Sequence, residues 1–77
     1  MKKIKFDYSK LRGRIVEKFK TYTAFAEYLG ISPQQLSPKL NGTTGITKED
    51  IVEWCEALGI SNDEIGLYFF TVKVYQN

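Results

Sequence analysis

The segment Gly30-Ile31-Ser32-Pro33-Gln34-Gln35 constrains this chain more than any other, because it stops one helix and starts the next within three residues. Glycine takes up the left-handed backbone that ends a helix without crowding a Cβ. Ser32 then offers a side-chain oxygen to first-turn amides, Pro33 suits the first helical position, where no N–H is needed, and Gln35 completes a Ser-x-x-Gln capping box. Two helices joined this way turn a corner. Ile31 is placed to plug its angle, and small Ala26 lets the helices approach closely.

The same punctuation organises the rest of the chain. Thr21 is an N-cap for a helix through Leu29, with Phe25, Ala26 and Leu29 inward; Leu36 and Leu40 give the next helix its buried stripe, which Asn41-Gly42 terminates. Upstream, Asp7 can cap a helix beginning near Tyr8, in which Leu11, Ile15 and Phe19 recur at four-residue spacing, Val16 widens the apolar stripe, and Arg12, Arg14, Lys18 and Lys20 occupy the polar side. Downstream, residues 43–46 form a loop, and Thr47 with Asp50 closes a box on a fourth helix whose Ile51, Trp54, Cys55 and Leu58 share a face. Gly59 ends that helix, and Ser61 with Glu64 caps a short fifth one containing Ile65. Near the termini, Ile4 and Phe6 alternate with lysines, and Phe70, Val72 and Val74 alternate with Thr71, Lys73 and Tyr75, after Phe69. That period predicts two short strands paired antiparallel. The expected fold is mainly α: one domain over residues 1–77, five helices with a helix-turn-helix pair at 21–41, and short N- and C-terminal β-strands.

Composition narrows the chemistry. Cys55 is the lone cysteine and histidine is absent, so an intrachain disulfide, a cysteine-based zinc site and the commonest general base are all missing. Cys55 falls on an apolar stripe and reads as packing. No catalytic residue, metal, cofactor or small-molecule ligand is implied, and an enzyme is not expected. No apolar run approaches the ~20 residues that span a bilayer, and Met1-Lys2-Lys3 does not lead into a secretory segment, so a cytoplasmic protein without membrane contact is expected. The net charge of +2 conceals a division: residues 1–48 carry ten basic and three acidic side chains, and residues 49–77 one basic and six acidic. Such a chain can orient on a polyanion, or folding can scramble the division.

The capped corner presents Gln34 and Gln35 near a helix N-terminus. Glutamine can pair bidentately with the adenine N6/N7 edge, and a major groove about 12 Å wide admits a helix. Gln34 has no structural duty and is the better candidate reader; Gln35 is either a capping residue, a base contact, or both. Ser37 can add a contact, and Lys39 suits a phosphate. Tyr22 can bond a phosphate through its hydroxyl or bury its ring. Asn41 can cap its helix or touch phosphate, Thr43 and Thr44 are either phosphate contacts or ordinary loop residues, and Thr21 is a further phosphate contact at the same edge.

On the segment TAFAEYLGISPQQLSPKLNG, followed by a loop and ITKEDIVEWCEALGI, the sequence resembles the phage Cro/lambda-repressor type of helix-turn-helix proteins over roughly residues 8–65. Its opening KIKFDYSKLRGRI and its YFF ending are similar to a subfamily of short proteins from temperate phages and prophages of Firmicutes. The resemblance implies a transcriptional regulator that binds double-stranded, near-palindromic DNA as a homodimer. It puts Tyr22 on phosphate and Pro33, Gln34, Ser37 and Pro38 toward bases, with Gln35 beside them. Pro33 could touch a thymine methyl. Pro38 departs from the pattern: inside a helix it removes an amide donor and crowds the preceding turn, so a short, bent or shifted recognition helix is expected. The departure leaves a rival open, a protein-interaction module such as an antirepressor.

Overall fold

The computed structural model describes residues 5–73, and over them the chain folds into five α-helices and one short 3-10 turn. The helices are α1 (Ser9–Phe19), α2 (Tyr22–Leu29), α3 (Pro33–Asn41), α4 (Lys48–Leu58) and α5 (Ile65–Phe69), with the 3-10 turn at Asn62–Glu64. None of them is long and apolar enough to cross a membrane.

Caps set most of these boundaries. The Asp7 carboxylate accepts from the Ser9 amide at 2.9 Å, but the N-cap position of α1 is Tyr8, so Asp7 stands one residue ahead of the cap it was expected to be. Thr21 accepts from the Ala24 amide, and complete capping boxes form at Ser32/Gln35 and Thr47/Asp50. At the other ends, Gly30, Gly42 and Gly59 sit in the left-handed region at φ of 78°, 81° and 67°. The amide after each glycine reaches back five residues: Ile31 to the Ala26 carbonyl at 3.0 Å, Thr43 to Pro38 at 2.9 Å and Ile60 to Cys55 at 3.0 Å. This closes orphan carbonyls and brings an isoleucine over the core at two of the three ends.

The core gathers around Trp54. Its ring meets Phe25 edge-on at 5.4 Å and Phe69 at 6.2 Å, while Phe19 stacks obliquely on Phe25 at 5.1 Å. Leu11 and Ile15 from α1, Ala26 from α2, Leu36 and Leu40 from α3, and Cys55 and Leu58 from α4 complete the buried set, with Ile60 and Tyr68. Val16 does not join the α1 stripe. It is 45% exposed, because the helices packed on α1 cover the face centred on Leu11 and Ile15 and stop short of it.

Two arginines of α1 fasten helix ends that lie far away in sequence. Arg14 donates to the Leu58 and Gly59 carbonyls at 2.9 and 3.3 Å, and Arg12 donates to the Leu40 carbonyl at 2.6 Å. Each places a cation where a helix dipole is negative and carbonyls lack amides, at the ends of α4 and α3 respectively.

The expected strands do not form among the described residues. In their place the chain ends meet in a single antiparallel bridge between Phe6 and Val72, with Asp7 N–H donating to Thr71 at 2.7 Å and Lys73 N–H to Lys5 at 2.9 Å. The physical reason lies in α5, which continues through Phe69 and draws that ring against Trp54, so little extended chain is left for pairing. Residues 2–4 and 74–75 of the expected strands lie outside the described residues.

Arg14→Met keeps the alkyl stem but removes the charge-assisted bonds to the α4 terminus. It should destabilise folding by about 1–2 kcal/mol, lowering the melting temperature by roughly 4–16 °C. Thermal unfolding followed by the fluorescence of buried Trp54 measures this; an unchanged melting temperature would show that the clamp contributes nothing.

Candidate nucleic-acid interface

The first turns of α2 and α3 come together on one side of the molecule, where Tyr22, Pro33, Leu36, Ser37 and Leu40 line a shallow notch of about 180 Å³. Pro33, Gln34, Gln35, Ser37, Thr21, Tyr22, Asn41, Thr43 and Thr44 are exposed, whereas Pro38 and Lys39 are half-buried.

Hydrogen bonds assign these residues unequal freedom. The Gln34 side-chain amide has no partner among the described residues, so both its oxygen and its nitrogen are available. Gln35 is committed: its Oε1 accepts from the Ser32 amide at 2.9 Å, which turns Nε2 outward as a donor only. A bidentate pairing with adenine needs both groups, so the box favours Gln34 for that task. Asn41 is fixed too. Its Oδ1 accepts from Arg12 at 3.1 Å, and its Nδ2 approaches the Ser37 hydroxyl at 3.4 Å. Sequence reasoning placed Arg12 on a polar helix side; its role in orienting Asn41 is set by a contact across 29 positions and has no local signal.

Pro38 does not stop the helix, which runs on to Asn41. The missing amide deprives only the carbonyl of exposed Gln34, where water can substitute. The Pro38 carbonyl in turn accepts from the Thr43 and Thr44 amides at 2.9 and 3.2 Å. Those two threonines therefore keep their hydroxyls, but not their backbone amides, free for contacts.

Lys39 forms an ion pair with Asp50, both half-buried, and Asp50 also accepts from the Thr47 amide at 3.0 Å. One carboxylate thus caps α4 and ties it to α3. Burial pushes the Asp50 carboxyl up, but the Lys39 ammonium and the bonds from Thr47 outweigh it and hold it below its ordinary 3.8. Burial raises the Cys55 thiol, which keeps it protonated and unreactive at neutral pH.

With Arg12, Arg14 and Lys39 held internally, the basic half of the sequence offers fewer free cations than its count suggests. Lys18 and Lys20 remain exposed immediately before Thr21, and Lys20 has a backbone φ of 74° at the junction. Thr21 satisfies the Ala24 amide, leaving the Tyr22 and Thr23 amides at the positive end of α2 without intrahelical acceptors. The first turn of α2 and the whole of α3 lack acidic residues, and the acids concentrate on α4 and the 3-10 turn. Among the described residues no cluster of His, Cys, Asp or Glu could hold a metal ion.

Residues 4–72 match the family described as "Protein of unknown function (DUF739)". The chain belongs to this family. No curated protein matches it. Membership of DUF739 therefore brings no stated activity, and function rests on the geometry of the α2–α3 face.

The Asp50 carboxyl is lowered on folding, so its stabilisation is complete above 3.8 and is lost as pH falls through the lower folded value. Urea unfolding as a function of pH should show this loss in the wild type and a flatter acid limb in Asp50→Asn. Asp7, lowered by its bonds to Ser9, contributes in the same window, so an Asp7→Asn variant separates the two. Identical acid limbs in wild type and Asp50→Asn would remove the Lys39–Asp50 tie from the account.

Proposed function

We propose that α2 and α3 are a helix-turn-helix pair that lays α3 in the major groove of double-stranded DNA, making the chain a sequence-specific transcriptional regulator of the Cro/lambda-repressor type. The observation that carries this is Gln34: exposed, unbonded, on the first turn of an acid-free helix whose start is fixed by a capping box. Gln34 reads a base edge, bidentate to adenine. Gln35 contributes a donor from Nε2, and Ser37 contributes its hydroxyl, presented beside Asn41. Pro33 offers an apolar contact, and half-buried Pro38 anchors the following loop rather than a base.

Phosphate is held by the Tyr22 hydroxyl and the free first-turn amides of α2, while Thr21 stays occupied as cap. Thr43 and Thr44 add hydroxyls and Asn41 lies at the same edge. Lys20 and Lys18 supply the counterion-releasing charge that sequence reasoning assigned to Lys39. The acids of α4 lie on a different element from the one that enters the groove. Phe6, Phe70 and Val72 are exposed together at the terminal bridge, with Phe6 and Phe70 edge-on at 6.0 Å, and support a homodimer there. Such a dimer would set its recognition helices about 34 Å apart, one DNA turn. The regulator works in the cytoplasm and performs no catalysis.

Selection from random duplexes at low salt, followed by fluorescence-anisotropy titration, tests the proposal. Gln34→Ala should leave the fold intact and remove roughly 1–3 kcal/mol of discrimination at one base pair. Lys20→Ala should weaken cognate and random DNA alike and reduce the slope of log affinity against log salt by about 1. Lys39→Met should lower thermal stability without changing that slope. Failure to recover any preferred sequence, or a full base preference retained by Gln34→Ala, would reject the assignment.

A further inference from the structure

We infer that the cavity between the terminal bridge and the loop joining α3 to α4 binds a small aromatic carboxylate, with the ring on its apolar wall and the charge beside Lys5 and Lys73. Nothing in this inference depends on duplex binding.

The cavity measures about 470 Å³, within the range of about 300–1,000 Å³ that small-molecule sites occupy. Its apolar lining comes from Phe6, Tyr8 and Phe70 at the chain ends and from Ile46 and Ile51 around the start of α4. The aromatic rings support one another: Phe6 meets Phe70 edge-on at 6.0 Å and lies obliquely to Tyr8 at 6.3 Å. Phe6 and Phe70 are nonetheless 38% and 52% exposed, so the core leaves them uncovered. Such a wall suits a flat ring, which gains by edge-on or offset packing against several aromatics at once.

Charge identifies the rest of the ligand. In the antiparallel bridge Phe6 stands opposite Val72, so Lys5 stands opposite Lys73, whose amide donates to the Lys5 carbonyl at 2.9 Å. Both lysines line the cavity, and like charges set opposite each other repel. The lining has no acidic residue to offset them. The Asp7 carboxylate feels the Lys73 charge but lies outside the lining and is bonded to the Ser9 amide. An anion bound beside both ammonium groups offsets the repulsion, and Thr44 adds a neutral hydroxyl from the loop. The fit calls for an aromatic body with a negative head. A phosphate alone leaves the rings uncovered, and a purely apolar group leaves the lysines opposed.

The probe is benzoate, titrated into the full isotopically labelled chain without DNA. Phe6 and Phe70 also belong to the face proposed above for a second copy, so the protein is held at a concentration where sedimentation shows a single species. Saturable amide shifts should fall on residues 5–8, 42–46 and 69–73. Benzamide, which keeps the ring and loses the charge, should bind about five-fold more weakly, and benzoate should lose about the same factor on Lys5→Met/Lys73→Met. Phe70→Ala should weaken benzoate by about five-fold through the lost ring contact, and acetate, with charge but no ring, should give no saturable shifts. Thermal melting checks that the variants fold, and the benzamide and acetate comparisons need only the wild type. Absence of saturable benzoate binding, or shifts confined to other parts of the molecule, would overturn the inference. Benzamide binding as tightly as benzoate, or full benzoate affinity in the folded lysine variant, would remove the anion site. Acetate saturating the same amides as tightly as benzoate would remove the aromatic ligand.

Discussion

The contact between Phe25 and Trp54 is the constraint on which the rest of the structure depends. Both rings are removed from water, and their edge-on packing fixes α2, the first helix of the corner, to α4. Phe69 on the other side of Trp54 adds α5. In a chain of 77 residues, few other buried groups can compensate for the loss of such a pair. The position of α2 relative to the core is therefore set by aromatic packing, and the glycine corner converts that position into the direction of α3.

Polar ties then hold α3 at both ends without occupying its outer face. The Ser32–Gln35 box fixes its start, Arg12 fixes the Leu40 carbonyl and the Asn41 side chain, and the Lys39–Asp50 pair joins it to the start of α4. Half-buried charges are used for positioning, while uncharged groups, chiefly Gln34, Ser37 and Pro33, remain on the exposed turn. The proposed interface would accordingly draw long-range attraction from helix termini and the lysines before Thr21, and specificity from a surface with little charge of its own.

Local chemistry was readable in the sequence. The three helix ends at Gly30, Gly42 and Gly59 and the boxes at Ser32 and Thr47 depend on residues within five positions of each other, and the structure places each as expected. The stripe positions Leu11, Ile15, Leu36 and Leu40 followed from helical spacing for the same reason. What escaped was non-local. Arg14 reaches a carbonyl 44 residues away and Lys39 a carboxylate 11 away, and a basic residue looks the same in sequence whether it is solvated or committed. The alternation after Phe69 suggested a strand because period alone cannot weigh the pull of Trp54, which takes Phe69 into the core at the end of a helix. Tyr68, Phe69 and Ile60 were absent from the expected core on similar grounds: each is buried by partners brought in from elsewhere in the chain. At the candidate site, the freedom of Gln34 was legible from the capping box, but the notch beside it was not, since its lining comes from two helices.

In the proposed function the corner formed by α2 and α3, and not the acidic face of α4, meets DNA. Its most direct test is a titration of isotopically labelled protein with the preferred duplex, following backbone amide shifts residue by residue. The largest changes should fall on residues 21–24, 34–37 and 41–44, while the exposed positions of 49–63 stay nearly unmoved. Changes concentrated on α4 or the terminal bridge, with the first turns of α2 and α3 silent, would contradict it.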